Sequence, residues 1–356
     1  MEDLQRFQGK VLEKFIAAIL AAAGLPAADA ARVGELMTAA DLRGQDGHGI
    51  FRLPQYVRRI RAGAVNVRPK ISVVQDCPST AIVDGDNGMG HLVMSRAAAV
   101  AIEKAERTGV AWVGVRMSNH AGPGALYAEM PLARDMVGLY MAVASANHMP
   151  PWGGVESILG TNPLAVAIPA GEEPPVVLDM ATTIAAYGKV KTYKMAGKTM
   201  PVGWMINRRG EPITDPNRSG EGFLLPIGGP KGSGLAIVIG LLGGLLNGAL
   251  FGRACIDFNA DDTSVTNTGH VMVALKVSNF CPLDRFKKQV DAAVREIRDS
   301  ERMEGVERIW LPGEQSHARF VERCAQGVPL SAALCRTLND LAASLGVGPL
   351  PPANFS

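Results

Sequence analysis

At 356 residues the chain exceeds the ~250–300 residues at which a single hydrophobic core stops growing, so two lobes are predicted. A composition of 47% hydrophobic and 20% charged residues, with a net charge of +2 and basic side chains scattered among acids, offers no basic face to nucleic acid or an acidic membrane and points to a small-molecule ligand. Five cysteines, odd in number, widely spaced and without a C-x-x-C pair, suggest neither a disulfide frame nor a zinc site and are expected of a cytoplasmic protein.

In chain order, the first apolar run, Phe15–Ala23, has Glu13 and Lys14 before it and no A-x-A pattern after it, and is read as helix rather than signal peptide. Apolar residues at 11, 15, 16, 19 and 20 give residues 11–24 a helical pattern, closed by Gly24 and Pro26 and repeated over 28–43. The stretch from Asp41 to Tyr56 then carries an imidazole, a guanidinium and a phenol, His48, Arg52 and Tyr56, four residues apart, with glycines at 44, 47 and 49. If it is helical, the three share one face. If Pro54 instead opens a helix running to Ala62, His48 and Arg52 belong to a lead-in loop whose glycines allow close approach to a ligand. An arginine that can hold a carboxylate bidentately, beside a histidine with a reference pKa near ~6.5, suits a 2-oxo or 2-hydroxy acid.

Gly63 is a stop, and Val65–Val74 an extended arm. Thr80–Asp84 reads as a short strand, Gly85–Gly90 as a turn, Ser95–Thr108 as a helix ending at Gly109, and Val110–Val115 as a buried strand. That strand runs into the glycine-rich loop Ser118–Gly124, which carries His120. Strands at Val137–Ala144, Leu164–Ile168 and Val176–Leu178 likewise end in polar residues, among them Ser145, His148 and Asp179, so several strands discharge into one polar rim. The loop Leu225–Gly234 presents backbone N–H groups and Lys231 at a helix start, an arrangement suited to phosphate. The uncharged Gly234–Gly252 contains six glycines and has no aromatic belt at its start, and is read as a buried core helix, not a membrane span. Val271–Val277 is a strand, Asp284–Asp299 a helix, and Pro312-Gly-Glu314 precedes further helical patterns.

The familiar G-x-G-x-x-G, G-x-x-x-x-G-K-[ST] and G-x-S-x-G fingerprints are missing. The six histidines, at 48, 91, 120, 148, 270 and 317, form no H-x-x-x-H pair, so no metal site is predicted, although His120 and His148 could converge in space.

Several segments together carry a resemblance: Ala40-Asp-Leu-Arg-Gly…Asp46…His48-Gly…Arg52-Leu-Pro-Gln-Tyr56, Asp84-Gly-Asp-Asn-Gly-Met-Gly90, Ser118-Asn-His120, Pro151-Trp-Gly-Gly154, Gly160-Thr-Asn-Pro163, Asp179-Met-Ala-Thr182, Gly188-Lys189 and Gly229-Pro-Lys-Gly232. In them the sequence resembles the second type of malate/L-lactate dehydrogenase, a family that includes ureidoglycolate, sulfolactate and diketogulonate enzymes and reductases of cyclic imino acids. The resemblance implies an α/β protein with a non-Rossmann dinucleotide-binding sheet domain and a mostly helical second lobe. It assigns 1–117 with 284–356 to a substrate and dimerisation lobe and 118–283 to dinucleotide binding, in a homodimer using NAD or NADP. His48 or His120 would exchange the proton, and Arg52 would hold the substrate carboxylate, with Tyr56 and Gly47 beside it. Ser145, Asp179, Met180, Ala181, Lys231, Gly232, Pro312, Gly313 and Glu314 would line the cofactor.

This chain departs from the family pattern at Gln45 and Gly47, where a histidine and a serine are usual, and mildly at Thr183, where serine is common. The hydroxyl missing at 47 opens space beside His48, so the expected 2-hydroxy or 2-oxo acid is bulkier, or attached differently, than lactate or malate. Reduction of a cyclic 2-imino acid is the alternative chemistry, and a ligand-binding relative without catalysis is the alternative class.

Overall fold

The computed structural model describes residues 4–195 and 197–353. Apolar residues three and four apart form one stripe along α1 (Gly9–Ala22), which buries Leu12, Phe15, Ile16, Ile19 and Leu20. The chain turns back at Gly24 into α2 (Ala27–Leu42), and Gly34 lets the two helices touch, since a Cβ there would come 2.8 Å from the Glu13 carbonyl oxygen. The far end of the chain completes this core. Leu4–Phe7 pairs antiparallel with Val328–Ser331, and Leu338 and Ala342 of the final helix lie in the same cluster as Ile16 and Met37.

Beyond α2 come two short 3-10 turns, Asp46–His48 and Ile50–Arg52, and then α3 (Leu53–Arg61) with Pro54 in its first turn. Of the two arrangements that the spacing allowed, the lead-in loop is the one formed. A proline at a helix start sacrifices no hydrogen bond, so α3 begins there and leaves His48 and Arg52 outside it. Gly49 is needed for the turn: a Cβ would fall 1.8 Å from Asp41 Oδ1, and the same carboxylate accepts the Ile50 N–H at 2.8 Å.

One sheet organises the rest. Its strands are β1 (Ser72–Asp76), β2 (Thr80–Asp84), β3 (Val110–Ser118), β4 (Met136–Ala142), β5 (Leu164–Ile168), β6 (Val176–Met180) and β7 (Thr268–Lys276), in the order β1-β2-β3-β7-β4-β5-β6. β2 and β3 are parallel and are joined by α4 (Gly90–Thr108), the crossover a parallel pair requires; every other neighbouring pair is antiparallel. Alanines 97, 98, 101 and 105 of α4 lie against Val113 and Val115, small side chains that let the helix sit close to the sheet.

A division of the chain at residue 117 does not follow this sheet. β1, β2, α4 and nearly all of β3 precede that residue, yet β3 pairs with β2 on one side and with β7 on the other. The helix Leu283–Asp299 also sides with the sheet, because Asp291 accepts the N–H groups of Gly171, Glu172 and Glu173 in the β5–β6 turn. Strand partners distant in sequence leave no local pattern from which the boundary could be read.

α6, after α5 (Tyr187–Met195), spans Pro230–Gly243 and takes in the first part of the uncharged stretch Gly234–Gly252, which continues through the 3-10 turn Leu245–Asn247. The continuous segment Pro230–Asn247 is long and apolar enough to cross a membrane by length and composition. It is not the fully buried helix expected. Ile239 packs with Met141 and Val271 on the sheet, whereas Val238, Leu241, Leu245 and Leu246 are exposed. A segment apolar on every side has no period to indicate which face turns inward.

Candidate active site

The structure brings His48, Arg52 and Tyr56 together with His120, and adds Phe258. β3 ends at Ser118, and the next residue clamps the loop: Asn119 Nδ2 donates to the carbonyls of Asn87 and Gly88 at 3.1 and 2.9 Å, while Thr266 Oγ1 donates to Asn119 Oδ1 at 3.1 Å. His120 is thereby held between two rings, stacked on His48 at a centroid distance of 5.4 Å and on Phe258 at 4.8 Å.

The hydrogen bonds decide the state of His120. Its Nδ1 lies 2.6 Å from the Tyr56 hydroxyl and 3.4 Å from the Gly122 nitrogen. A backbone N–H can only donate, so Nδ1 is the acceptor, Tyr56 donates its O–H, and the neutral ring carries its proton on Nε2. Burial raises the Tyr56 pKa, which keeps the phenol protonated for this purpose. Burial first, and the nearby His48 and Arg52 next, push His120 well below its ordinary range; burial and then Arg52 bring His48 to about 4. Among the described residues His48 Nδ1 is buried without a partner. Beneath Tyr56, edge-on at 5.6 Å, lies fully buried His91, with no partner for either ring nitrogen.

Arg52 is aimed by three contacts. Nε donates to the Gly47 carbonyl at 2.8 Å, and Nη1 to Gln55 Oε1 at 2.8 Å and Asn259 Oδ1 at 3.1 Å. Its guanidinium lies over the Phe258 ring at 5.4 Å, and Nη2 has no protein hydrogen bond among the described residues. Gly47 contributes its carbonyl and space, since a Cβ there would meet nothing within 4 Å. The arrangement thus offers a cation with an unengaged N–H edge and a neutral imidazole N–H, both in contact with Phe258: groups able to hold a carboxylate and an adjacent carbonyl or hydroxyl oxygen.

The residues expected around a cofactor fall into two groups. Asp179, Pro312 and Gly313 line a cavity of about 630 Å³, together with Arg43, Gln45 and Arg319. Asp179 accepts hydrogen bonds from Gln45 Nε2 at 3.1 Å and the Ala125 N–H at 3.0 Å; burial raises its pKa to about 6. Pro312 is tied to the β6 edge by the Val177 N–H at 3.1 Å. Glu314 is next in sequence, but its carboxylate is engaged by Arg298 at 2.7 Å and the Leu311 N–H at 3.1 Å. The second group does not line this cavity. Met180 closes β6, and the Thr182 carbonyl beyond Ala181 accepts the Ile227 N–H at 2.9 Å, which draws that strand end to the loop before α6. Gly232 packs so tightly on Ile227 that a Cβ would come 2.4 Å from its carbonyl oxygen, while Lys231 is exposed. Ser145 is tied to the site through its carbonyl, which accepts the Phe258 N–H at 3.0 Å.

Sequence reasoning missed Phe258, Asn259, Gln55 and Lys191. Asn259 Oδ1 accepts from Lys191 Nζ at 3.4 Å as well as from Arg52. Gln55 lies within the Arg52–Tyr56 motif, which marks no role for it, and Phe258, Asn259 and Lys191 belong to no motif; their contacts become visible only because the segment around 258 packs against α3. His148 stacks face to face on Tyr187 at 4.2 Å, not on His120. Among the described residues, no group of three or more His, Cys, Asp or Glu side chains could hold a metal ion.

Over residues 7–339 the chain matches the family model described as malate/L-lactate dehydrogenase. It is 37% identical to a malate dehydrogenase of Pyrococcus abyssi, with 97% of this chain and 96% of the relative covered. It is 36% identical to an L-sulfolactate dehydrogenase of Methanocaldococcus jannaschii, covering 94% and 95% of the two. The solved structure of malate dehydrogenase from Pyrococcus horikoshii OT3 superposes with a TM-score of 0.90 at 34% identity and covers 98% of each chain. With matching motifs, a shared fold and alignment over nearly its whole length, the chain belongs to the malate/L-lactate dehydrogenase family.

Proposed function

We propose that the chain transfers a hydride between NAD or NADP and the second carbon of a 2-hydroxy or 2-oxo acid bulkier than lactate. As a member of this family it is an oxidoreductase of 2-substituted acids. The observation that carries the finer reading is the pairing of an unengaged Arg52 Nη2 with a His120 whose proton is set on Nε2 by Tyr56 and Gly122. Arg52 takes the acid's carboxylate, and the His120 Nε2–H hydrogen-bonds to the oxygen on the neighbouring carbon and orients it; the ring that delivers the proton in reduction must first take up a second one, and returns to the neutral form when it gives it. His48 and His120 are the two candidate proton carriers. Both are kept neutral by burial and by the charge of Arg52; a carboxylate bound to Arg52 offsets that charge and raises the proton affinity of both rings.

A nicotinamide dinucleotide, when bound, supplies or accepts the hydride. The residues fit such a group. Gln45 Oε1 is a buried acceptor without a partner beside Asp179, in a cavity that also holds Arg43 and Arg319, so hydroxyl donors and phosphate oxygens would both find partners there. We assign its binding to Asp179–Ala181, Lys231–Gly232, Pro312–Glu314 and Ser145. A mostly antiparallel sheet with one parallel pair, and the missing glycine fingerprint, support a dinucleotide domain unlike the Rossmann fold, with the helix-rich lobe serving substrate binding and dimerisation. The exposed apolar face of α6 supports a homodimer, and five free cysteines a cytoplasmic setting.

Reduction of a cyclic 2-imino acid is the second reading. The neutral histidines favour it, because a protonated imine needs no acid at the atom that receives the electrons. The deciding experiment follows the near-ultraviolet band of reduced nicotinamide with each cofactor against 2-oxo, 2-hydroxy and cyclic imino acids. Turnover of oxo or hydroxy acids is expected. Turnover of imino acids alone would move the conclusion to the second reading, and turnover of none would refute both.

A further inference from the structure

The cavity beside Asp179 runs along β6. Asp179 stands near one end of that strand and Pro175 just before the other, about 13 Å apart at the rise of an extended chain. The Asp179 end adjoins the histidines, because Asp179 is bonded to Gln45, which precedes His48 by one turn, and to Ala125, which follows the loop of His120. The other end is apolar. Pro174, Pro175, Val177 and Leu311 line it, and with them the indole of Trp310.

Trp310 belongs to none of the hydrophobic core clusters and is 44% exposed, yet its ring is firmly held. The Arg308 guanidinium covers it, 4.1 Å from the ring centroid, and reaches Glu314 at 3.4 Å. Glu314 also pairs with Arg298 at 2.7 Å, and Arg298 pairs at 2.8 Å with Glu173, the residue before Pro174. The Leu311 N–H, donated to Glu314 at 3.1 Å, closes the turn between indole and carboxylate. This ladder of contacts sets the indole at the proline end of the cavity. The nicotinamide of a bound dinucleotide must lie against the carbon whose substituents Arg52 and His120 hold, and neither of those residues, nor Phe258, lines the cavity. An apolar slot with an open indole, remote from them, suits a purine, whose π-face stacks on an aromatic ring.

Resting on the reading that Asp179 and Pro312–Glu314 hold the dinucleotide, we propose that Trp310 is the platform on which its adenine stacks, with Arg308 and Glu314 bracing the ring. The cofactor is thereby oriented, adenine at the Pro174–Pro175 end and nicotinamide beyond Asp179, toward His48 and His120. The Glu314 carboxylate acquires a task that its place in the sequence does not show: it holds Arg308 against the indole.

The probe is ADP-ribose, which carries the adenine and both phosphates but no nicotinamide. It is expected to quench the tryptophan emission of the wild-type protein. Calorimetry should give a Kd about tenfold or more higher for Trp310→Leu, the loss of one base–aromatic stack, with Trp310→Phe retaining most of the affinity. Reduced dinucleotide, followed by its own emission, should lose affinity by a similar factor. Unchanged ADP-ribose affinity in Trp310→Leu, whether or not the dinucleotide binds more weakly, overturns the role of Trp310 and leaves the hydride-transfer reading intact. So does a wild-type protein that binds the dinucleotide but not ADP-ribose. Failure of the wild-type protein to bind NAD, NADP or their reduced forms overturns both.

Discussion

Tyr56→Phe removes one oxygen from the site and leaves the packing volume almost unchanged. The hydroxyl donates to His120 Nδ1 at 2.6 Å, and after its loss that nitrogen keeps only the Gly122 N–H at 3.4 Å, too long to replace it. An unsatisfied buried polar group costs about 1–3 kcal/mol. Phenylalanine has no hydroxyl of its own to bury, so the net destabilisation falls at the low end, about 1 kcal/mol, and the thermal midpoint drops by only about 1–2 °C in a chain of this length. The larger effect is on chemistry. The hydrogen bond is what sets the proton on Nε2, and losing about 1.4 kcal/mol of that preference is roughly a tenfold loss in the correctly prepared ring. At saturating cofactor, kcat should fall about tenfold or more while KM for the acid changes little, because Arg52 is untouched. Ring-nitrogen NMR shifts of His120 should move away from a fixed Nε2–H tautomer. Unchanged kcat and unchanged shifts in Tyr56→Phe would refute the proposed role of the pair.

Arg52→Lys keeps the charge but loses the planar fork whose Nε and Nη1 are fixed by Gly47, Gln55 and Asn259; KM for the acid should rise about tenfold or more, with cofactor affinity, read by fluorescence quenching, unchanged. Gly49→Ala should fold poorly, because its Cβ would overlap Asp41 Oδ1 at 1.8 Å, whereas Gly47→Ser meets nothing within 4 Å and should keep the wild-type melting temperature while shifting kcat/KM toward smaller acids. Stability should fall as pH drops from about 6.5 to about 3, because buried His91 and His270 have pKa values lowered from 6.5 to about 3 and about 4 and the unfolded chain binds more protons across that window. Asp179, raised from 3.8 to about 6, acts in the opposite sense, so denaturant titrations of His91→Phe across pH should show a flatter acid limb than wild type.

Local patterns made much of this protein legible before any tertiary contact was known. The stripe Leu12–Leu20, the proline start of α3 and the alanine-rich α4 follow from helical period and capping rules that act within a few turns. His48, Arg52 and Tyr56 stood out because they lie close in sequence, and His120 because its strand ends in glycines. α6 shows the limit of such reasoning: apolar on all sides, it gave no sign that Val238 and Leu241 would remain exposed.

By itself, then, the sequence determined most of the main helices and strands, though not α5 or the paired strands Leu4–Phe7 and Val328–Ser331, together with the family they compose and the short-range groups that could meet an acid. Tertiary structure decided the sheet order, with β7 inserted between β3 and β4, so that the sheet draws its strands from both sides of residue 117. It also decided the electrostatic content of the site: that Tyr56 fixes the proton of His120, that Gln45 bonds to Asp179, and that Lys191 and Arg52 meet at Asn259. The physical reason is one of range. Backbone period is set by neighbours a few residues away, whereas a side chain's partners and protonation depend on groups that only packing brings within hydrogen-bond reach.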